Sequence, residues 1–241
     1  MKSLFIRTAH IEWDEISENS YLRNIPAVSK ITDLEFESPV TFFVGENGTG
    51  KSTMLEGIAD AYGFNPEGGT VNFNFSTYED LSELGNHVRL YRGGRANFGY
   101  FFRAESFFNL ATKAEDYGLY YNGKTLHSQS HGESFWAFFN KYNGAGIYIM
   151  DEPEAALSPQ RQLSLLIHIK QMAEVGSQFI IITHSPILLG LPGADIISFD
   201  GGEVHKIRYE DTDSYQVTEM FINNRDHLLH RLFSDEMSEE D

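Results

Sequence analysis

The chain has no cysteine, which removes both a disulfide framework and thiolate metal sites from consideration. That fits a reducing compartment, and the expectation is a cytoplasmic protein. No window approaches the roughly 20 consecutive apolar residues of a membrane-spanning helix, and Met1–Arg7 lacks the apolar core of a signal peptide. Positive charge is also scarce: 18 Lys and Arg stand against 35 Asp and Glu, a formal net charge of −17. Such a surface repels a phosphate backbone unless positive charge is gathered locally, which argues against a simple DNA-binding module. Part of the acidic excess sits in residues 234–241, expected to be a frayed, solvated tail. Internal repeats and low-complexity linkers are missing too. With 241 residues, one elaborated domain spanning 1–241 is the simplest organisation.

What is present is organised around Gly45-Glu46-Asn47-Gly48-Thr49-Gly50-Lys51-Ser52. An apolar run, Val40–Val44, precedes it, and Thr53–Ala61 follows with helical periodicity. Strand, glycine-rich turn and helix start are the context that makes G-x-x-x-x-G-K-[ST] a P-loop. Glycines let backbone N–H groups close around phosphate oxygens, and the helix N-terminus adds a favourable dipole. Lys51 would reach the β- and γ-phosphates, the Ser52 hydroxyl would ligate Mg²⁺, and Thr53 completes the nucleotide-binding set.

Elsewhere the pattern alternates strands with helices, which implies α/β architecture with a mainly parallel, covered sheet. Strands are expected in residues 2–12, Ile31–Phe36, Val71–Phe75, Val88–Tyr91 and Gly99–Glu105, then Gly146–Met150 and Gln178–Thr183. Ala194–Phe199 and Glu203–Ile207 flank Asp200-Gly201-Gly202 as a hairpin. Helices are expected after the P-loop to about Tyr62, at Tyr78–Leu84, Ser106–Ala114, Glu133–Lys141 and Pro159–Ala173. Two short helices, near Ser214–Asn223 and Asp226–Phe233, would close the chain. The aromatics Phe135, Trp136, Phe138 and Phe139 read as core packing rather than a stacking platform.

Three further stretches bring chemistry to the phosphates. Ile147–Met150 is an apolar strand that delivers Asp151 and Glu152 at its carboxyl edge, where α/β proteins bind ligands. Asp151 would hold Mg²⁺ directly or through water, and Glu152 is placed to polarise an attacking water. Ile181-Ile182-Thr183 likewise ends in His184, which could hydrogen-bond a γ-phosphate or its attacking water. The small-residue turn Leu126–Ser134 opens a helix, so Ser130 and Gly132 make a second anion site. One monomer does not need two γ-phosphate sites on separate elements. A symmetric pair does, with each nucleotide closed by the other copy's serine-glycine turn.

In this order the residues resemble an ABC-type ATPase head over roughly residues 40–190. The resemblance covers Walker A at 45–52, a signature-like Ser130-His131-Gly132-Glu133, Walker B at 147–152, a D-loop-like Glu154–Pro159 and an H-loop at His184. The wording Asp-Glu-Pro-Glu-Ala-Ala-Leu-Ser-Pro and Thr-His-Ser-Pro is similar to the non-transporter branch shared with SMC-like and recombination-repair ATPases. Phe-Phe-Val-Gly-Glu-Asn-Gly-Thr-Gly-Lys-Ser and Ser-His-Gly-Glu-Ser-Phe look like small stand-alone bacterial proteins described as predicted AAA-family or ABC-like ATPases. The resemblance implies a P-loop NTPase fold with an N-terminal β subdomain and a small helical lobe, at roughly residues 104–141 here. It departs in two places. Arg103-Ala104-Glu105 stands where a Q-loop glutamine would sense Mg²⁺, making Glu105 its candidate substitute. In the signature, His131 replaces the middle glycine and Glu133 the glutamine. Phe5, Trp13 and Tyr21 are candidates for the adenine-stacking aromatic.

The expected function is Mg²⁺-dependent ATP hydrolysis by a homodimer that sandwiches ATP, of non-transporter type, serving DNA repair or defence with a protein partner still to be identified. The alternative is the nucleotide-binding subunit of an ABC membrane transporter, against which the missing glutamine and altered signature count. The stretch between Lys51 and Ser130 is too short for the long coiled-coil arms of SMC-like proteins. Arg89, Arg92 and Arg95 form the one basic cluster, a candidate for direct nucleic-acid contact or a solvated loop.

Overall fold

The computed structural model describes residues 4–65, 68–70, 83–103 and 145–235. The chain opens with β1 (Ile6–Ile11), which pairs antiparallel with β2 (Asp33–Glu35) on one side and β5 (Val88–Arg92) on the other. Three short 3₁₀ turns fill the polar connection between β1 and β2. This small sheet is the expected N-terminal β subdomain.

The central sheet contains β3 (Val40–Val44), β4 (Gly69–Thr70), β6 (Gly99–Arg103), β7 (Ile147–Asp151), β8 (Gln178–Ile182), β9 (Asp195–Ser198) and β10 (His205–Ile207). Its spatial order is β10-β9-β3-β8-β7-β6-β4. The five inner strands run parallel, and β10 and β4 are antiparallel edges. The result is an α/β fold with a mixed, mostly parallel sheet.

Strand residues alternate between two cores, the period of two expected of a pleated sheet. Phe43, Ile149, Ile180 and Ile182 face one side, where Met54, Leu55 and Ile58 of α1 (Lys51–Tyr62) and the N-terminal sheet cover them. Phe42, Met150, Phe179 and Ile181 face the other, covered by Leu165, Ile169 and Met172 of α2 (Pro159–Val175) and by α3 (Pro186–Leu189). Both faces are buried, which is why these strands read as continuous apolar runs instead of alternating ones.

Gln178 ties the two sheets together. Its side-chain oxygen accepts from the Ile6 N–H and its amide nitrogen donates to the Ile6 carbonyl, both at 2.8 Å. The side chain thus completes the hydrogen bonding of a strand end with 0% exposure.

The two expected closing helices are both present in α4 (Asp213–Asp235), as two helical segments that meet at a kink where Asn224 has non-helical dihedrals (φ −131°, ψ 30°). Asp235, expected in the acidic tail, is helical, and residues 236–241 lie outside the described residues. The expected strand Val71–Phe75, the helices Ser106–Ala114 and Glu133–Lys141 and the small lobe at 104–141 lie outside the described residues, as does most of Tyr78–Leu84; Glu83–His87 is a 3₁₀ turn.

Candidate nucleotide-binding site

The parallel strands bring the chemistry to one edge. In register, Phe43 of β3 lies beside Ile182 of β8, Ile182 beside Asp151 of β7, and Asp151 beside Arg103 of β6. On the other flank Val44 lies beside Ser198 of β9. The P-loop after β3, His184 after β8, Asp151-Glu152 at the end of β7 and Asp200 after β9 therefore leave the sheet at the same carboxyl edge, where open α/β sheets bind ligands.

The P-loop closes tightly. Gly50 has φ +101°, and a Cβ there would stand 2.5 Å from Val28 Cγ2 and 2.6 Å from Ile25 Cγ2. Only glycine accepts both the left-handed backbone and that approach. Lys51 is 5% exposed and donates to the carbonyls of Gly45 (2.6 Å) and Glu46 (2.7 Å), bridging the loop. Burial pushes its amine below the ordinary value, and the charges of Asp200, Glu152 and Asp151 offset part of that shift. A cavity of about 150 Å³ is lined by Ile25, Asn47, Gly48, Lys51, Ser52 and Glu152, among others. P-loop residues and the acid after β7 thus share one cavity.

Glu152 has φ +47°, and it is the one non-glycine residue with positive φ among those described. Pro153 disfavours the right-handed helical region for it, and its N–H donates to the Ile182 carbonyl at 3.0 Å, extending the ladder one step past β7. Left-handed backbone at a non-glycine residue costs about 1–2 kcal/mol. Such strain gathers at functional sites. Glu152 Oε1 lies 3.8 Å from His184 Nε2, too far for a direct hydrogen bond, with both side chains partly exposed.

The Thr-His-Ser-Pro wording is explained by helix capping. Ser185 Oγ accepts from the N–H groups of Ile187 and Leu188 and donates to Gln162 Oε1 at 2.6 Å, while Pro186 opens α3. His184 is thereby fixed in the short link between β8 and α3. Its N–H donates to Glu154 Oε1 at 2.6 Å. Burial raises the Glu154 carboxyl above its ordinary value, against hydrogen bonds that lower it, including those from His184 and Thr183. Its Oε2 has no partner among the described residues.

Ser130, His131, Gly132, Glu133 and Glu105 lie outside the described residues. Arg103, just before the expected Q-loop, pairs with Glu56 of α1 at 2.9 Å and so ties the end of β6 to the P-loop helix. Of the adenine-stacking candidates, Trp13 donates to the Ile31 carbonyl and has the Arg23 guanidinium 5.3 Å over its ring. Phe5 packs against the core, and Tyr21 is 52% exposed. In the basic cluster, Arg89 bonds Glu12 at 2.7 Å and Arg92 lies over the Tyr62 ring at 4.5 Å. Two of its three cations are thus engaged within the fold.

Sequence reading missed two residues of the site. Asp200 was read only as part of a hairpin turn, yet its Oδ1 accepts from the Glu46 N–H of the P-loop at 2.8 Å. Glu154 was read only as part of a D-loop-like stretch. The signal available for it was a third acid two residues beyond Glu152.

Among the described residues, no group of three or more His, Cys, Asp or Glu side chains could hold a metal alone. Mg²⁺ in phosphoryl-transfer sites takes one or two protein oxygens and completes its shell with phosphates and water. Ser52, exposed at the start of α1, and Asp151, at the end of β7, are hard oxygen donors of that kind. The donor set fits the ion.

A family described as an AAA domain matches residues 21–113, less than half of the chain but including the whole P-loop and α1. Comparison with curated proteins gives no match. Among solved structures, the SMC head domain from Thermotoga maritima is similar at 14% identity, over 85% of this chain and 99% of that one, with a TM-score of 0.46. An ATP-binding cassette of an ABC transporter is similar at 14% identity, over 87% and 94%, with a TM-score of 0.47. The protein cbiO1 from Clostridium perfringens, part of the ABC transporter complex cbiONQ, is similar at 14%, over 94% and 99%, with a TM-score of 0.47. The chain is thus similar to AAA- and ABC-type ATPases, SMC heads among them. Transporter and non-transporter proteins both occur in this set, so it does not choose between those branches. No helix among the described residues is long and apolar enough to cross a membrane.

Proposed function

We propose that the protein is a Mg²⁺-dependent ATPase of the ABC type and of non-transporter kind, working as a homodimer that encloses ATP. The observation that supports this reading is the convergence at one sheet edge of the P-loop, Asp151-Glu152 and His184, with Glu152 lining the P-loop cavity. Backbone N–H groups of the loop bind the phosphates, and Lys51 exchanges its two loop carbonyls for phosphate oxygens. Ser52 and Asp151 would hold Mg²⁺, which when bound neutralises charge on the β- and γ-phosphates. Glu152 orients and polarises the attacking water, and His184 donates to the γ-phosphate from the neighbouring strand end. Phosphoryl transfer asks for positioning and charge stabilisation more than for a covalent nucleophile, and this set supplies both.

The second half of the site is assigned to Ser130, His131, Gly132 and Glu133 of a second copy, and the Mg²⁺-sensing position to Glu105. The unusual signature and the missing Q-loop glutamine support the non-transporter branch, with a role in DNA repair or defence. Light scattering of Glu152→Gln with and without ATP and Mg²⁺ is the test. Turnover should fall by about 10²-fold or more, with an ATP-bound dimer accumulating. Unchanged hydrolysis refutes the role of Glu152, and a monomer under both conditions refutes the sandwich. Co-purification with an integral membrane protein from detergent extracts would instead support a transporter subunit.

A further inference from the structure

The connection after β9 holds a residue that the ATPase reading leaves unused. Asp200 Oδ1 accepts the Glu46 N–H at 2.8 Å across 154 positions of sequence. The carboxylate is itself fixed: Ser198 Oγ donates to Oδ2 at 3.3 Å and accepts from the Asp200 N–H at 3.1 Å. Ser198 is buried at the end of β9, beside Val44 of the P-loop strand. The anchor therefore stands on the rigid sheet.

The loop is shaped around this contact. Gly45 has φ +136°, and a Cβ there would stand 2.9 Å from Asp200 Oδ1 and 3.1 Å from Oδ2. The first glycine of the motif thus makes room for the carboxylate as well as for the turn. Gly45 and Glu46 are absent from the lining of the P-loop cavity, which begins at Asn47. Both instead line a second cavity of about 400 Å³ together with Asp200, His184 and the start of α4. The Glu46 amide is committed to Asp200, and the amides from Asn47 onward remain for phosphate. Glycine-rich loops lose much conformational freedom when they close. A charge-assisted bond that fixes one end in advance lowers that loss at the moment of binding.

We propose that Asp200 is a positioning residue that holds the P-loop in its phosphate-binding shape before nucleotide arrives. The functional consequence rests on the ATPase reading; the anchor does not. Three measurements on the full chain separate them: amide hydrogen exchange at Glu46 without nucleotide, affinity for a fluorescent ATP analogue, and kcat. In Asp200→Ala, Glu46 exchange should accelerate at least about tenfold and analogue affinity should fall about tenfold, the scale of a lost bond to a charged acceptor. The kcat at saturation should stay within about threefold, because the loss falls on ground-state binding. Asp200→Asn keeps an acceptor oxygen and should restore both exchange protection and most of the affinity. Unchanged Glu46 exchange in Asp200→Ala overturns the anchor. Faster exchange with unchanged affinity overturns its role in binding. A parent protein that binds no nucleotide sinks the ATPase reading alone, while Glu46 exchange still decides the anchor. If the alanine variant does not fold, equal Glu46 exchange in the parent and in Ser198→Ala, which frees the carboxylate, overturns the proposal.

Discussion

Replacing Gln178 with leucine removes the bidentate contact between β8 and Ile6 while keeping a side chain of similar size. The Ile6 N–H and C=O then lose their side-chain partner at a residue with 0% exposure. Each buried backbone group left unsatisfied costs about 1–3 kcal/mol. Leucine recovers part of this through its apolar burial, so the expected net loss is about 3 kcal/mol. For a chain of this size that lowers Tm by about 6–12 °C. Urea denaturation monitored by fluorescence and by circular dichroism measures it. Gln178→Glu sharpens the test, because a carboxylate still accepts from Ile6 N–H but cannot donate to the carbonyl, and it adds a buried charge. It should be at least as damaging above its pKa and milder in acid. The loss should reach the site as well, since the N-terminal segment supplies Ile25 and Val28 against Gly50. A Gln178→Leu protein within about 0.5 kcal/mol of the parent, outside the range expected for a disrupted buried contact, would refute the reasoning.

Other expectations follow from the same contacts. Gly50→Ala meets both a left-handed backbone and two methyl groups inside contact distance; it should cost about 3 kcal/mol and abolish tight nucleotide binding, with Val28→Ala restoring part of the stability and parent-like behaviour of the single variant counting against the packing argument. Glu154 is raised by burial, so the folded state favours its protonated form: this stability is full below the unfolded pKa and is lost as pH rises through the folded value. Glu154→Gln, which mimics the protonated form, should gain stability relative to the parent as pH rises above the ordinary carboxylate value, and a pH-independent difference in denaturation midpoints would contradict the assignment. Arg103→Ala leaves Glu56 beside the P-loop helix without this ion pair; stability should change by less than about 1 kcal/mol, as for a partly exposed pair, and a larger loss in urea would show that the link to α1 matters more.

The strand ends were legible because burial on both faces writes itself into the sequence. Val40–Val44, Ile147–Met150 and Gln178–Ile182 are buried runs, and Gly45, Asp151 and Thr183, which follow them, mark the carboxyl edge. Glycine spacing revealed the P-loop for a similar reason, since few residues accept the required backbone. The anchor at Asp200 was hidden because its partner is a backbone amide 154 positions away, and an amide has no sequence signature. Gln178 was hidden too, reading as an ordinary first strand residue although it substitutes for a missing strand neighbour. The two closing helices were legible from their periodicity, and the kink between them falls at Asn224, in the gap expected between Asn223 and Asp226.

The charge of the site also bears on why the proposed reaction requires a divalent ion. Lys51 is the cation of the loop, and three carboxylates, Asp200, Glu152 and Asp151, act on it electrostatically. Its hydrogen bonds already go to two loop carbonyls, so phosphate oxygens must displace those partners instead of meeting an idle ammonium. The acidic chain adds no attraction of its own, with a net charge of −17. At an effective dielectric near 20, each pair of like unit charges at 4 Å repels by about 4 kcal/mol. A polyphosphate entering with Lys51 alone would meet more negative than positive charge. A divalent cation held by Ser52 and Asp151 would offset that excess at the phosphates and leave Glu152 to act on water. In the proposed reaction Asp151 would hold the metal and Glu152 would act on water, while Asp200 is bonded to the Glu46 amide.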